Sequence, residues 1–208
     1  DGRSAHTFCM CPGGMVVPAS NHEGRVVVNG MSFAARRSYW ANSAVIVAVE
    51  VDDYGASDPL AGYRWQDAIE QRAFELAGQT HRAPAQRVTD FLNDRVSVEL
   101  LRTSYPMGVV PCDLRDLFPA AIVEGMKTAL RHFDDKISGF AGEEGVLIAP
   151  ETRTTSPVRF VRDESGQSVS LTSIYPIGEG SGYGGGIISS ALDGLRTARA
   201  IVESQVAV

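Results

Sequence analysis

Apolar residues recur at helical spacing in two long segments of the chain. In the first segment the spacing of three or four positions is typical of a helix that packs one face on a core. Its members are Ile122, Met126, Leu130, Phe133 and Ile137. The second stripe consists of Ile187, Ile188, Ala191, Leu192, Leu195, Ala198, Ile201 and Val202. Because burying a large apolar side chain is worth about 1.5–3 kcal/mol, we expect this C-terminal helix to dock on a sheet.

Runs of β-branched and apolar residues predict strands elsewhere. Residues 43–51 are nearly continuous in apolar side chains, so we place this strand centrally in a sheet. Residues 14–18 and 25–29 flank turn-forming residues and predict a hairpin. Further strands are predicted at 146–149, 158–161, 169–171 and 174–178. Further helices are predicted at 63–77 and 113–118, and residues 82–110 are predicted to be weak strand and loop. The mixture predicts an α+β fold with mixed strand pairing.

Composition excludes several classes of protein. Of the 208 residues, 44% are hydrophobic and 21% are charged, so the chain is neither disordered nor fibrous. The 25 acidic residues outnumber the 19 basic ones and give a net charge of −6, which argues against general nucleic-acid binding. The most apolar run, residues 44–49, is far shorter than the roughly 18 residues that cross a bilayer. We expect a soluble protein.

The cysteines bear on location and on metal binding. They are Cys9, Cys11 and Cys112, an odd and sparse set. A secreted, disulfide-rich domain would carry an even and dense set, so we expect a reducing cytoplasmic location. A zinc site could be drawn from His6, His22 and the first two cysteines, but no second close pair completes four ligands, and we predict no metal. The sequence opens at Asp1 without a methionine, which suggests a piece of a longer protein.

Glycines are concentrated directly before the C-terminal helix, in a segment that we call the glycine bend (residues 178–186). They are Gly178, Gly180, Gly182, Gly184, Gly185 and Gly186. Glycine has no Cβ and tolerates positive φ, so the backbone here can approach a ligand closely. The first amides of the following helix have no partner within the helix and favour an anionic or electron-rich group. Tight packing alone would need only one or two glycines, so we favour a ligand contact.

Residues 180–185 also fit the dinucleotide-binding pattern G-x-G-x-x-G. A βαβ unit that binds pyrophosphate needs a second strand after the helix and an acidic residue about 20 positions further on. The sequence ends at Val208, and Glu203 would lie at the end of the helix. We therefore predict a closing strand, turn and helix that meet the other end of a cofactor.

Three separated segments share a common likeness. They are Phe-Cys-Met-Cys-Pro-Gly-Gly at 8–14, Glu-Thr-Arg-Thr-Thr-Ser-Pro-Val-Arg at 151–159 and Gly-Glu-Gly-Ser-Gly-Tyr-Gly-Gly-Gly-Ile at 178–187. Together they resemble a bacterial family of uncharacterised FAD-dependent dehydrogenases. The resemblance implies a substrate-side domain at 1–170, inserted into a Rossmann-like FAD domain whose closing strand, glycine turn and helix are 171–208. The ADP-binding glycine loop would lie in an N-terminal part of the polypeptide.

The resemblance also implies which residues touch FAD. They are Gly178, Glu179, Gly180, Tyr183, Gly184, Gly185, Gly186 and Ile187. Glu179 would bond ribityl or pyrophosphate-side hydroxyls, and the helix N-terminus would stabilise negative charge on the reduced ring. The loop at 9–14 would line the active site near the isoalloxazine. From the residues alone, Cys11 is either a redox thiol or, more commonly for cysteine, a small buried residue.

Residues 151–159 combine one acid, two arginines and four hydroxyl groups. Arg153 could clamp a carboxylate or phosphate with its planar guanidinium group. Alternatively, Arg153 or Arg159 could pair with Glu151 and the hydroxyls could close a turn. The chemistry leaves both open, and the resemblance favours an active-site loop in which Arg153 anchors the substrate.

Taken together, we expect a C-terminal piece of a cytoplasmic FAD-dependent oxidoreductase that passes a hydride between flavin and an unknown small-molecule substrate. Arg153 and Cys11 are the candidate catalytic residues. The piece alone would be inactive and would bind FAD weakly or not at all. The alternative is a non-catalytic binding or assembly module that keeps the flavoprotein core without FAD, since the ADP loop has no counterpart in the sequence.

Overall fold

A computed structural model describes residues 2–55 and 58–206. Its contacts separate into a larger unit, residues 1–53 and 65–152, and a smaller unit, residues 54–64 and 153–208. The described residues form three small sheets and five α-helices. This mixture of helices and strands agrees with the predicted α+β class.

The strands, in chain order, are β1 (Ala5–Cys11), β2 (Gly14–Pro18), β3 (Val28–Ser32), β4 (Asn42–Val47), β5 (Ala83–Arg87), β6 (Val109–Pro111) and β7 (Val146–Ile148). The helices are α1 (Val51–Tyr54), α2 (Ala61–Leu76), α3 (Val88–Leu92), α4 (Ala120–Lys136) and α5 (Ile187–Val206). Short 3₁₀ turns lie at Leu114–Asp116 and Glu179–Ser181. β1 pairs with β4 and β2 with β3, both antiparallel, while β5 lies between parallel β6 and antiparallel β7.

The predicted hairpin is confirmed as an antiparallel pair, although its second strand begins later than predicted. The register pairs Pro18 with Val28. Val26 and Val27 precede the strand because their amides bond elsewhere, to the carbonyl of Glu70 at 3.1 Å and the hydroxyl of Ser20 at 2.8 Å. Both valines are only 1% exposed, so they join the core without joining the ladder.

The central strand was predicted in the wrong place. Residues 43–51 give β4, which ends at Val47 and belongs to a two-stranded sheet, and Val51 already begins α1. β4 is covered instead by α4, where a Cβ on Gly125 would lie 2.9 Å from Cγ1 of Val47. Among the described strands, β5 has a neighbour on each side, and it lies in the segment predicted to be weak strand and loop.

α4 confirms the first predicted helical stripe and supplies much of the core of the larger unit. Ile122, Met126 and Leu130 are buried, and they pack with Phe91 and Leu114. The carbonyl of Pro119 accepts from the amides at 122 and 123, so the proline stands directly before the helix. Ile137 lies beyond the last turn and is 47% exposed, so the buried stripe ends earlier than the sequence pattern.

In the smaller unit, the strands predicted at 158–161, 169–171 and 174–178 were wrong. The described residues there form only one isolated bridge, between Arg162 and Ser168. Their backbone groups find partners in turns instead: the amide of Phe160 donates to the carbonyl of Ser181 at 3.1 Å, and that of Ser168 to Ile174 at 2.7 Å. The glycine bend is therefore preceded by irregular backbone rather than by a closing strand.

α5 forms where the second stripe predicted a helix, but its burial is reversed. Ile187, Ile188 and Leu195 are 88%, 72% and 67% exposed, whereas Asp193 and Thr197 are 9% and 6% exposed. Within the described residues, the apolar stripe therefore does not dock on a sheet as expected. No helix of the described chain combines the length and apolarity needed to span a membrane.

Candidate flavin site

The glycine bend begins with a 3₁₀ turn and leads directly into α5. Gly178 has φ +71° and Gly182 has φ +83°, a region that residues with a Cβ rarely adopt. The amide of Gly182 donates to the carbonyl of Glu179 at 2.9 Å, and that of Tyr183 to Gly178 at 3.0 Å. Two of the six glycines are thus required by the conformation of the turn itself.

Close packing explains one further glycine and reinforces another. A Cβ on Gly184 would lie 2.5 Å from the hydroxyl of Ser190, and one on Gly182 would lie 2.5 Å from the carbonyl of Val158. The remaining three glycines, Gly180, Gly185 and Gly186, have no close contact. A Cβ on Gly180 would meet nothing within 4 Å, and one on Gly185 or Gly186 would make only ordinary contacts at 3.6 and 3.9 Å.

Half of the glycines therefore have no steric or conformational need within the described residues. Side chains at Gly180, Gly185 and Gly186 would instead fill the space in front of the bend. Because glycine in place of a larger residue carries a cost in conformational entropy, a bound group that needs this space is a physical reason for keeping all three.

Two buried hydroxyl groups beside the bend lack a partner among the described residues. They are Oγ1 of Thr154 and Oγ of Ser190. Ser190 adjoins Gly184, and Thr154 precedes Thr155, whose Cγ2 lies 3.6 Å from the Cβ position of Gly185. An unsatisfied buried hydroxyl costs about 1–3 kcal/mol, which a hydrogen-bonding ligand would recover. The open space beside Gly180, Gly185 and Gly186 and the two hydroxyls without a described partner fit a polar, hydroxyl-rich cofactor such as FAD.

A buried ion pair holds the start of the bend in place. The guanidinium of Arg162 donates to both carboxylate oxygens of Asp193, at 3.0 and 2.6 Å, and to the carbonyl of Pro176 at 2.8 Å. The same carboxylate accepts the amide of Gly178 at 2.9 Å. The hydrogen bonds from Arg162, and then from Gly178, hold the pKa of Asp193 below its usual range. Asp193 therefore anchors both α5 and the bend as a carboxylate.

Two arginines lie over the ring of Tyr183. The guanidinium carbon of Arg162 is 3.6 Å from the ring centroid and that of Arg159 is 5.1 Å away. Arg159 also donates from Nε to the carbonyl of Gly182 at 3.2 Å. Asp193 pairs with Arg162, whereas Arg159 is exposed and makes no ion pair with any described residue. Such a charge favours an anionic ligand.

Arg162 and Asp193 support the bend but were not among the residues predicted from the sequence. They are 31 residues apart, and only the fold brings them together. The sequence signals that could have been used are weak ones: an arginine 16 residues before the bend and an acid on the face opposite the apolar stripe of α5.

The structure places the predicted site residues in both units. All eight predicted FAD contacts lie in one continuous segment of the smaller unit, the glycine bend and the first residue of α5, with Glu179 and Ile187 exposed. Arg153 lies in the same unit and is half-buried, and it interacts with other residues. Cys11 belongs to the larger unit and is 8% exposed. Its role and that of Arg153 stay predictions.

The loop that follows Cys11 has a packing reason for its glycines. A Cβ on Gly13 would lie 2.1 Å from the carbonyl of Arg36, and one on Gly14 would lie 2.2 Å from that of Met31. These glycines let two segments of the larger unit approach closely. Unlike the glycine bend, they leave no space that calls for a ligand.

Cys9 of the first motif and Glu151, the first residue of the second motif, both belong to the larger unit. Glu151 acts electrostatically on Cys9, whose φ of +52° places a non-glycine residue in the left-handed region. Burial raises the pKa of the Glu151 carboxyl. Within residues 2–55 and 58–206, no three His, Cys, Asp or Glu side chains converge in a way that could hold a metal ion.

Comparison with known proteins finds a family model that covers most of the chain. The model of a family described as FAD-dependent protein, C-terminal domain-like, matches residues 1–154. The chain belongs to this family. This match covers the larger unit and stops before the glycine bend.

One relative is much longer than this chain. An uncharacterized protein of Clostridium beijerinckii is 45% identical over 203 residues, which is 97% of this chain and 38% of that protein. The chain thus spans less than two fifths of that relative's length. The family description says FAD-dependent and names neither a substrate nor a dehydrogenase activity.

Proposed function

We propose that the chain is the C-terminal part of a FAD-dependent oxidoreductase and that its glycine bend contacts the cofactor. The observation that carries the proposal is the set of three glycines, Gly180, Gly185 and Gly186, which neither φ nor packing requires. The orphaned hydroxyls of Thr154 and Ser190 and the family membership support it.

Each group around the bend has a role in this proposal. The hydroxyls of Thr154 and Ser190 bond polar atoms of the cofactor, and the carboxylate of Glu179 accepts from its ribityl or pyrophosphate-side hydroxyls. Arg159 offsets negative charge beside the bend. Bound FAD supplies a ring that accepts or donates a hydride. Arg153 anchors an anionic group of a small-molecule substrate.

The rest of the cofactor domain is proposed to come from a preceding part of the same polypeptide. The smaller unit exposes many large apolar side chains. They are Phe160, Val161, Val169, Leu171, Ile174, Ile177, Ile187, Ile188, Leu192, Leu195 and Val202. An apolar surface of this extent is typical of an interface. A domain that packs there would bury it and would carry the ADP half of FAD.

The test uses a chimera in which this chain replaces the matching 203 residues of the Clostridium beijerinckii protein. We expect the chimera to purify yellow or to bind added FAD with a flavin absorbance change. Gly180→Val adds a side chain in open space, so it should leave the fold intact and weaken FAD binding at least about tenfold, or roughly 1.4 kcal/mol.

The matched control is Gly194→Ala, which changes a glycine of α5 that has only an ordinary contact with Ile177. It should bind FAD as the parent chimera does. Equal FAD affinity in the Gly180→Val chimera would reject the bend as a flavin contact. A folded chimera that ignores FAD would favour the non-catalytic binding or assembly module instead.

A further inference from the structure

The backbone of Arg159 lies directly against the glycine bend. A Cβ on Gly182 would lie 2.5 Å from the carbonyl oxygen of Val158 and 2.9 Å from Cα of Arg159, so the missing side chain of Gly182 lets the two segments approach. The amide of Phe160 donates to the carbonyl of Ser181 at 3.1 Å and joins the same two segments a second time. Arg159 is therefore fixed beside the bend at its backbone.

The side chain of Arg159 is oriented as well, although the residue is exposed. Its Nε donates to the carbonyl of Gly182 at 3.2 Å, and its guanidinium carbon lies 5.1 Å from the ring centroid of Tyr183, within the range of a cation–π contact. The two terminal nitrogens make no hydrogen bond or ion pair with any described residue. The guanidinium group is thus held in place while the donors of both Nη atoms stay available.

The charges around the ring of Tyr183 are unequal. Arg162 lies on this ring too, at 3.6 Å from the centroid, but its guanidinium is paired with the carboxylate of Asp193. Arg159 brings a second positive charge without a second carboxylate. Glu179, the acid within the bend, is exposed and forms no ion pair with Arg159. An anion bound to Arg159 would balance this charge.

A phosphate group matches what the bend offers. The planar guanidinium group binds phosphate through two parallel N–H···O hydrogen bonds. The buried hydroxyls of Thr154 and Ser190, which have no partner among the described residues, can donate to further phosphate oxygens. The absence of side chains at Gly180, Gly185 and Gly186 leaves the room that such a group needs.

Building on the proposed FAD contact of the bend, we propose that Arg159 binds the diphosphate of the cofactor and so selects FAD over riboflavin, which carries no phosphate. Within oxidised FAD, the diphosphate is the part that is charged at neutral pH, and it is therefore the part that an unpaired guanidinium group distinguishes. Arg162 and Asp193 position the bend, whereas Arg159 determines its specificity.

The first test titrates the 208-residue chain with inorganic pyrophosphate at constant ionic strength and follows its amide signals by NMR. We expect the signals of residues 178–186 and of Nε of Arg159 to shift and to saturate at millimolar pyrophosphate. Arg159→Gln should weaken this binding at least about tenfold, and Arg159→Lys, which keeps the charge without the planar fork, should fall between. The control Arg196→Gln removes an exposed positive charge from α5 and should bind as the parent does.

The second test compares FAD with riboflavin in the Clostridium beijerinckii chimera, with circular dichroism to show that each variant is folded. Arg159→Gln should weaken FAD binding at least about tenfold and leave riboflavin binding unchanged, so the preference for FAD should fall by the same factor. Equal loss for both flavins would overturn Arg159 as the selecting residue. So would signals of the bend that do not respond to pyrophosphate.

The two proposals fail in different ways. Unchanged FAD affinity in Arg159→Gln, together with weakened binding in Gly180→Val, would reject the diphosphate contact and keep the flavin contact. A chimera that ignores FAD, while the chain still binds pyrophosphate through Arg159, would reject the flavin proposal and support the phosphate site.

Discussion

At the scale of single residues, Asp193 joins three parts of the smaller unit. Its carboxylate receives Arg162 and the amide of Gly178, and Arg162 in turn lies on the ring of Tyr183. A charged pair that is removed from water in this way stabilises little by itself, but breaking it leaves the other charge buried and unpaired. The pair therefore fixes where the glycine bend begins.

Replacing Asp193 with asparagine should lower the free energy of unfolding by about 2–3 kcal/mol at pH 7, because Arg162 then loses its counter-charge. The exposed acid Glu164 provides the matched control, as Glu164→Gln, and it should change stability by less than about 0.5 kcal/mol. Urea denaturation followed by circular dichroism measures both. Equal stability of the two variants would contradict the anchoring role.

The same pair predicts a pH dependence. Arg162, and then the Gly178 amide, lower the folded-state pKa of Asp193 below the unfolded value of about 3.9. Its contribution is therefore fully present above about pH 4 and is lost as the pH falls through the lower, folded-state pKa. We expect Asp193→Asn to lack this part of the acid destabilisation when urea midpoints are compared between pH 7 and pH 3. Parallel acid profiles of the two proteins would speak against it.

At the scale of elements, the sequence predicted those helices and strands whose burial follows a simple period. α4 shows this, because its apolar stripe faces the core. β5 shows the opposite: Ala83–Arg87 contains alanine, proline and glutamine, which rarely favour strands. Its central place depends on Gln86, which is fully buried and bonds the carbonyl of Arg95 at 2.7 Å and the amide of Leu114 at 2.9 Å. Such long-range partners are invisible in a local pattern.

The glycine bend was visible in the sequence because glycine count is a local property. The residues that hold the bend in place were not visible in the sequence, because Arg159, Arg162 and Asp193 converge only through the fold. The burial of α5 was predicted on the wrong face for a related reason. A hydrophobic stripe shows that one face of a helix is apolar. It does not show whether the residues that would pack on that face belong to the described part of the chain.

Two glycine-to-alanine changes in the smaller unit should have opposite effects. Gly194 lies inside α5 with room for a methyl group, so Gly194→Ala should raise the free energy of unfolding by about 0.5–1 kcal/mol. Gly166 has φ +86° and its Cβ would lie 3.2 Å from Cγ2 of Thr197, so Gly166→Ala should lower it by at least about 1 kcal/mol. Urea denaturation of both variants measures the difference, and changes of the same sign would refute this account of α5.

At the scale of the whole molecule, the two units differ in how they place their large apolar side chains. The larger unit has an extended core, including Phe91, Leu114 and Leu130. The smaller unit instead turns Asp193 and Thr197 inward and leaves the stripe of α5 outside. Without a covering partner, such a surface promotes association.

The double variant Ile188→Glu, Leu195→Glu should bind less of the dye ANS and self-associate less than the parent chain. The free energy of unfolding should change little, because both side chains are mostly exposed, at 72% and 67%. The control Thr197→Val alters the buried face of α5 and should leave dye binding unchanged. Dye fluorescence and analytical ultracentrifugation give the readout. Unaltered ANS binding and sedimentation in the double variant would show that the stripe is covered in solution.

The division of the smaller unit into residues 54–64 and 153–208 has a consequence for synthesis on the ribosome. Within this unit the hydroxyl of Tyr63 lies 3.5 Å from that of Ser156, and a Cβ on Gly62 would be 2.7 Å from Pro157. At translation speeds of roughly 5–20 residues per second, the early strip waits about 5–20 seconds for these neighbours to emerge. Residues 54–64 therefore lack their neighbours in the smaller unit until residues 153–208 have been synthesised, and the smaller unit folds after the larger unit.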